Sequence, residues 1–194
     1  MADHPHLLQL VEQDHPVLHQ PTQRVTFPLS AADQQLILDM QYSILPPQLK
    51  AARAPWDGAA GMAANQWGYD RAIFLWHRDD QPDNIFDAAI NPSYEILQDS
   101  TPASKPQTRM EGCFSVPRAC GKVERVLNIR VKYQDPEGVE HSQVLQGDDA
   151  RTWMHENDHV DGYLYVKPKY GKCTGFRQFK SKAEAEAHYR QHGE

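Results

Sequence analysis

Two histidines near the end of the chain have a spacing that suits a metal ion. The segment His155-Glu156-Asn157-Asp158-His159 separates them by four residues, so on a helix both imidazoles lie on one face. Glu156 then lies roughly 100° around the helix, where it can hold a water molecule near the ion without becoming a ligand. Asp158 and Asp161 are candidates for carboxylates that orient the two rings. The spacing predicts hydrolysis by water at a metal site.

A catalytic metal of this kind needs a third protein ligand and one position left open for water. A glutamate, a histidine or a cysteine thiolate can supply the third ligand. Downstream of Gly162 the first glutamate or histidine is Glu184, so the usual downstream ligand of HExxH enzymes is a weak candidate here. Upstream, Cys113 lies beside a glycine and just ahead of a predicted β-hairpin, which makes it a further candidate.

The elements that must position these residues predict an α+β fold. A long N-terminal helix is expected from near Ser30, a candidate N-cap, to Pro46-Pro47. A second helix opens at Gly147 with an acidic first turn, carries both histidines and ends near Gly162. Apolar runs, or alternation of apolar and polar residues, predict strands over 72–76, 88–90, 122–134 and 139–146. Residues 98–109 suit an exposed loop. We therefore expect antiparallel sheets packed around a central metal-binding HExxH helix.

Size and composition favour one domain over residues 1–194. Residues 1–28 are expected to form a proline-punctuated arm on the surface of that domain, and residues 172–194 a C-terminal extension with a helix over 181–192.

The net charge of -6, without a cluster of basic residues, argues against nucleic acid as a direct partner. The chain is expected to act as a monomer.

The sequence predicts a cytoplasmic protein that does not associate with membranes. Its first residues have neither the positive start nor the apolar run of a secretory signal, and no segment approaches transmembrane length. Cys113, Cys120 and Cys173 are too few for a disulfide framework, which suits a reducing compartment and a free thiolate.

Three segments together resemble the motifs of the peptide deformylase family. Glu111-Gly112-Cys113-Phe114-Ser115 is similar to the family's E-G-C-L-S, residues 155–162 to its H-E-x-D-H-L-x-G, and residues 61–66 to the second half of its G-x-G-L-A-A-x-Q. In the family's order, residues 61–66 are the first motif, residues 111–115 the second and residues 155–162 the third. The resemblance implies one divalent metal ion per chain, with iron(II) preferred over zinc, nickel or cobalt. The implied ligands are Cys113, His155 and His159.

The same resemblance implies removal of the formyl group from N-formylmethionyl polypeptides, including nascent chains associated with the ribosome. Glu156 would take a proton from the attacking water and deliver it to the departing amine. The side-chain amide of Gln66 and the backbone N–H of Phe114 would stabilise the negative charge that develops on the formyl oxygen.

Three further residues are expected to receive the substrate. Gly61 has no Cβ and would let the substrate backbone approach closely. Ala60 and Thr152 would line an apolar hollow for the methionine side chain.

Two positions depart from the family pattern. Met154 stands where the family has a glutamine, so a hydrogen bond behind the ligands is expected to be lost, with weaker metal binding or a slower reaction. Ala59 replaces a glycine, which matters if that position requires a positive φ. Close to the cysteine, Glu111 and Arg125 are expected to form a partly buried ion pair that steadies the loop.

Two other functions remain open on the sequence alone. A metallopeptidase of the HExxH type would cleave internal bonds of unformylated peptides without needing Cys113. A deformylase-like module with weakened catalysis would bind metal and associate with nascent chains. Because one thiolate is sufficient for the site, Cys120 and Cys173 are expected to be bystanders.

Overall fold

The secondary structure is taken from a computed structural model, which describes residues 4–52, 54–56, 58–78 and 80–192. Within these residues the helices are Ala31–Ser43 (α1), Pro46–Ala51 (α2), Gly147–Val160 (α3) and Lys182–His192 (α4). The strands are Gly61–Ala63 (β1), Ile73–Trp76 (β2), Asp87–Ile96 (β3), Gln107–Cys113 (β4), Val116–Arg125 (β5), Asn128–Gln134 (β6), Glu140–Gln146 (β7) and Lys172–Gln178 (β8). The first three residues of the predicted arm and the last two of the predicted C-terminal extension lie outside the described residues. No helix in the described ranges has the length and apolar character needed to cross a bilayer.

Two antiparallel sheets contain the strands. A five-stranded sheet has the order β1-β2-β3-β6-β7, and a three-stranded sheet has the order β4-β5-β8. All the neighbouring strands in these two sheets run antiparallel. The predicted combination of helices with antiparallel sheets is thereby confirmed. Strands β1, β4 and β8 are not predicted from the sequence. The predicted loop over 98–109 is too long, because its last three residues lie in β4.

The prediction of one strand over 122–134 is wrong, because the chain changes sheet within this segment. Residues 122–125 belong to β5 and residues 128–134 to β6. Val123 and Ile129 are both fully buried, but they belong to different apolar clusters. Buried and exposed residues alternate in both strands because each sheet buries one face. The alternation therefore continues from β5 into β6 and does not show where the chain changes sheet.

Helix α1 begins at a satisfied N-cap and covers the start of the five-stranded sheet. The Ser30 Oγ accepts a hydrogen bond from the backbone N–H of Asp33 at 3.1 Å. The buried face of α1 includes Leu36 and Met40, which pack in one cluster with Met62 of β1. Helix α1 therefore supports the strand with which the first motif begins.

Aromatic packing fixes helix α3 on the five-stranded sheet. The Trp153 ring meets the rings of Phe74 and Trp76, both on β2, in edge-to-face contacts with centroids 4.8 and 5.1 Å apart. Trp153 is fully buried, and so is its neighbour Met154. His155 lies two residues on, about 200° around the helix from Trp153, and so points away from this contact.

The N-terminal arm joins the first motif to the end of α3. The N–H of Val11 donates to the carbonyl of Gln66 at 3.0 Å, and the N–H of Thr22 donates to the carbonyl of Val160 at 2.8 Å. Leu18 is fully buried. The arm is thus part of the core as well as of the surface, which is more than the sequence predicts.

Gly162→Ala should destabilise the chain more than Gly147→Ala. Both glycines have a left-handed φ, +82° and +60°, where a Cβ costs about 1 kcal/mol or more. At Gly162 an added Cβ would also lie 2.5 Å from the backbone carbon of Gln20 in the arm, whereas at Gly147 nothing lies within 4 Å. Denaturant unfolding of both variants measures the difference. Equal losses of stability would contradict the close packing of the arm on the end of α3.

Candidate metal centre

Three potential metal ligands from two elements converge at one point. Cys113 is the last residue of β4, and His155 and His159 lie one turn apart on α3. One ligand atom from each of the three residues lies within 4.8 Å of the other two. The Sγ of Cys113 and the Nε2 of His159 are 3.2 Å apart. Cys113 and His159 are buried, and the His155 side chain is 13% exposed, so one ion could bind here with most solvent excluded.

Gln66 of the first motif and Ser115 of the second motif both contact the Cys113 sulfur. The N–H of Ser115 donates to the Cys113 Sγ at 3.4 Å, and the Nε2 of Gln66 lies 3.6 Å from the same sulfur. Gln66 is itself fixed, because its Oε1 accepts from the N–H of Ala63 at 2.9 Å and its Nε2 donates to the Ser115 Oγ at 3.2 Å. The first and second motifs therefore meet at the cysteine.

A carboxylate from β4 orients His155. The Nδ1–H of His155 donates to the Oε2 of Glu111 at 2.9 Å, which leaves the Nε2 as the ligand nitrogen of the neutral ring. Burial lowers the pKa of His155, but the hydrogen bonds with Cys113 and Glu111 outweigh it and hold this pKa well above its ordinary value. A metal ion that binds here must therefore displace a proton.

The orienting roles predicted for Asp158 and Asp161 are wrong. The Oδ2 of Asp158 accepts from the Nη1 of Arg125 at 2.9 Å, and the Oδ2 of Asp161 accepts from the Nζ of Lys169 at 2.9 Å. Both carboxylates lie on or next to the histidine helix, as the sequence shows, but each is turned toward a basic partner. A buried guanidinium such as that of Arg125 is expensive without counter-charges, and this requirement determines where Asp158 points.

Glu111 is the centre of a buried charge network. The Nε and Nη2 of Arg125 donate to its two oxygens at 2.7 and 2.9 Å, and the Nη1 of Arg151 donates to its Oε1 at 2.7 Å. The Arg125 side chain is fully buried and that of Glu111 is 5% exposed, which confirms the predicted ion pair and places it deeper than expected. Burial raises the pKa of Glu111, but the charge of Arg125 and the hydrogen bond from His155 hold it well below its usual range. Arg151 is not predicted, although it precedes His155 by the same four residues that separate the two histidines.

Glu156 lies beside the ligands as a buried carboxyl group. Burial raises the pKa of Glu156 to about 7, which suits proton exchange near neutral pH. Its Oε2 is buried and has no hydrogen-bond partner among the described residues. Gly61 packs against this side chain, since an added Cβ would lie 2.8 Å from the Glu156 Cγ. The missing Cβ of Gly61 thus makes room for Glu156, a role that the sequence alone does not indicate.

The second histidine is held through its backbone. Burial lowers the pKa of His159 well below its ordinary value, so the ring is neutral, as a metal ligand must be. The Nδ2 of Asn65 donates to the carbonyl of His159 at 2.6 Å and to that of Val17 at 3.3 Å. Sequence reasoning missed Asn65, and its place inside the first motif is the one indication of its role.

A cavity of about 250 Å³ lies against the ligand group. All the predicted catalytic and substrate residues line it together with two of the predicted ligands: Ala60, Gly61, Gln66, Cys113, Phe114, Thr152, His155 and Glu156. Trp56 and Tyr189 also line the cavity, and the sequence predicts neither. Cys120 and Cys173 are not among the lining residues.

Ala59 and Met154, the two departures from the family motifs, both fit the structure around them. Among the described residues other than glycine, φ is positive at Asn84, Asn91 and Arg118, so Ala59 replaces a glycine without backbone strain. Met154 is fully buried in the apolar cluster behind α3. The weaker metal binding expected from Met154 stays a prediction.

A cysteine and two helical histidines beside a buried carboxyl group form a donor set of the kind that metal-dependent hydrolases use. Comparison with protein families narrows this class. Residues 7–170 match the model of the family described as polypeptide deformylase. The chain belongs to this family.

Individual relatives agree with this placement. Peptide deformylase 1 of Corynebacterium glutamicum is 36% identical over 110 residues, which are 57% of this chain and 62% of that enzyme. The chain thus spans less than two thirds of the length of that relative. The crystal structure of a peptide deformylase from Thermotoga maritima superposes with a TM-score of 0.67 at 27% identity, over 84% of this chain and 97% of that one. The Met-Ala-Ser-bound class I type b peptide deformylase of Acinetobacter baumannii gives a TM-score of 0.66 at 26% identity, over 84% and 99%.

Arg125→Met should destabilise the chain far more than Arg130→Met. Without Arg125, the buried carboxylates of Glu111 and Asp158 lose their shared counter-charge, at a cost of roughly 3–5 kcal/mol. Arg130 pairs with Glu95, and these side chains are 44% and 59% exposed, where a pair contributes about 1 kcal/mol at most. Urea unfolding of both variants gives the two losses. A loss as small for Arg125→Met as for Arg130→Met would contradict the central place of this network.

Proposed function

We propose that this chain hydrolyses the formyl group from N-formylmethionyl polypeptides and releases formate. The observation that carries the proposal is the ligand group Cys113, His155 and His159, with the buried carboxyl group of Glu156 beside it. Membership of the polypeptide deformylase family supports the reaction. The tripeptide Met-Ala-Ser, which is bound in the Acinetobacter relative, has the sequence of a substrate after the formyl group has left.

The donor set fits one divalent metal ion per chain, with α3 as the central metal-binding helix. One sulfur and two imidazole nitrogens suit iron(II), zinc, nickel or cobalt, and we propose iron(II) from the family resemblance. When bound, such an ion would lower the pKa of a coordinated water and polarise the formyl carbonyl. The neutral ring of His159 and the orientation of His155 by Glu111 support these ligand roles.

Glu156 would move the proton during hydrolysis. Its pKa of about 7 lets the carboxylate accept a proton from the attacking water and return it to the departing amine. The unpartnered Oε2 is available to a water molecule at this place. One carboxyl group would thus act first as base and then as acid.

Two donors would stabilise the oxyanion. The side-chain amide of Gln66 lies at the sulfur, fixed by its contacts with Ala63 and Ser115, and the Phe114 backbone follows Cys113 directly. Donors that are fixed before the reaction lower its barrier without having to reorganise.

The cavity would receive the start of the peptide. Ala60 and Thr152 lie in its lining, where we propose that they bind the methionine side chain. Gly61 would let the substrate backbone approach, in addition to leaving space for Glu156.

The proposal includes the setting of the reaction. We propose one domain over residues 1–194, which acts as a monomer in the cytoplasm on nascent chains that emerge from the ribosome. The contacts of the N-terminal arm with Gln66 and Val160 support a single domain, as does the presence of Tyr189 in the cavity lining. A free thiolate ligand suits a reducing compartment.

Cys113→Ala should abolish formate release from formyl-Met-Ala-Ser and Glu156→Gln should slow it strongly, for different reasons. Cys113→Ala should lose bound metal, whereas Glu156→Gln should keep its metal and slow turnover by at least about 100-fold. Formate assays combined with metal analysis separate the two effects. Cys120→Ser is the matched control and should retain both metal and activity. Unchanged turnover in Glu156→Gln, or cleavage of unformylated peptides by Cys113→Ala, would contradict the proposal and favour a metallopeptidase.

The anaerobically purified chain should contain iron(II) and should lose activity in air. Oxygen attacks both the iron(II) and its thiolate ligand, whereas a nickel-substituted chain should resist air. Metal analysis and residual formate release against time of exposure check this. Zinc as the sole metal in an air-stable active chain would contradict the choice of iron.

A further inference from the structure

Part of the cavity wall is formed by two aromatic side chains that lie outside the three motifs. Trp56 and Tyr189 both line the cavity beside the ligand group. Their rings meet at an angle of 61° with centroids 5.9 Å apart. Tyr189 belongs to α4, which lies beyond residue 170, where the match to the family model ends. The C-terminal helix therefore contributes directly to the cavity.

Both aromatic side chains donate a hydrogen bond to the same strand, β4. The Nε1 of Trp56 donates to the carbonyl of Cys113 at 3.3 Å, and the OH of Tyr189 donates to the carbonyl of Met110 at 3.3 Å. Between these two carbonyls, an added Cβ on Gly112 would lie 2.8 Å from the Cζ2 of Trp56. The indole thus packs directly on the glycine of the second motif.

Strand β4, which accepts these two hydrogen bonds, is an edge strand. In the sheet formed by the described residues β4 is the first strand of the order β4-β5-β8, and its residues from Met110 to Cys113 line the cavity. An extended peptide binds most readily along the edge of a sheet. At about 3.3 Å per residue, the stretch from Met110 to Cys113 covers roughly 10 Å, the length of three peptide residues.

We propose that Trp56 and Tyr189 bind the side chain of the residue that follows the formylated methionine, and that they select large apolar side chains at that position. This inference rests on the proposed function, because it requires the formyl group at Cys113 and the methionine beside Ala60 and Thr152. The aromatic pair lines the same cavity as Cys113, Ala60 and Thr152, and Trp56 packs on Gly112 next to Cys113, so we assign the pair to the residue that follows the methionine. Tyr189 is 36% exposed, so part of its ring is free to contact the peptide. Aromatic surfaces favour apolar partners over glycine.

The test compares formyl-Met-Leu-Ser with formyl-Met-Gly-Ser as substrates of the full-length chain. The unmodified chain should prefer the leucine peptide through a lower KM, and Tyr189→Ala should reduce this preference about fivefold with kcat unchanged. Tyr189→Phe keeps the ring and should keep the preference. Phe176→Ala is the control, since Phe176 is an exposed aromatic residue on β8 that is not among the cavity-lining residues.

Two results would overturn this inference. One is an unchanged ratio of the two KM values in Tyr189→Ala. The other is loss of the preference in Tyr189→Phe, which would assign the effect to the hydrogen bond with Met110 and not to the ring.

Failure of the proposed function would look different. The unmodified chain would then release no formate from either peptide. In that case calorimetric titration with Met-Leu-Ser and Met-Gly-Ser still tests the aromatic pair, which should bind the leucine peptide more tightly, and less so in Tyr189→Ala. Equal affinity of the unmodified chain for both peptides would overturn the inference.

Discussion

The site depends on one buried carboxylate, Glu111, which ties three elements together. It lies on β4 one residue from Gly112 and two from the cysteine, accepts hydrogen bonds from Arg125 on β5, and accepts others from Arg151 and His155 on α3. A buried carboxylate is stable only when its oxygens are satisfied by charged or strongly polar donors. The same contacts that satisfy Glu111 therefore fix the distance between the cysteine strand and the histidine helix, and they set the tautomer of His155.

The rest of the molecule holds this arrangement from outside. Aromatic packing around Trp153 fixes helix α3 on the five-stranded sheet, and the three-stranded sheet supplies Cys113. The N-terminal arm and Asn65 bind the carbonyls at the end of the helix. The result is an enclosed place in which Glu156 has a pKa of about 7 because of its burial. The raised pKa of Glu156 is thus a consequence of its packing, to which the absence of a side chain at Gly61 contributes.

The sequence predicts those features of the site that arise from local spacing or from motifs. The histidine helix follows from the four-residue interval and an acidic start, and the cysteine from its motif. Features that depend on the meeting of distant segments are missed. Asp158 has the right spacing to orient His155, yet the buried charge of Arg125 holds it elsewhere, and Tyr189 lies in a charged helix with nothing to indicate a cavity. The sequence also does not show the break between β5 and β6, because strands of both sheets alternate apolar and polar residues in the same way.

The central claim is that one metal ion binds the sulfur of Cys113 and the imidazoles of His155 and His159 together. X-ray absorption spectroscopy of the zinc-loaded chain tests it most directly, because sulfur and nitrogen neighbours scatter differently. The account predicts one sulfur at about 2.3 Å and two imidazole nitrogens at about 2.0–2.1 Å, with the sulfur absent in Cys113→Ala. A metal shell of nitrogen and oxygen alone in the unmodified chain would contradict it.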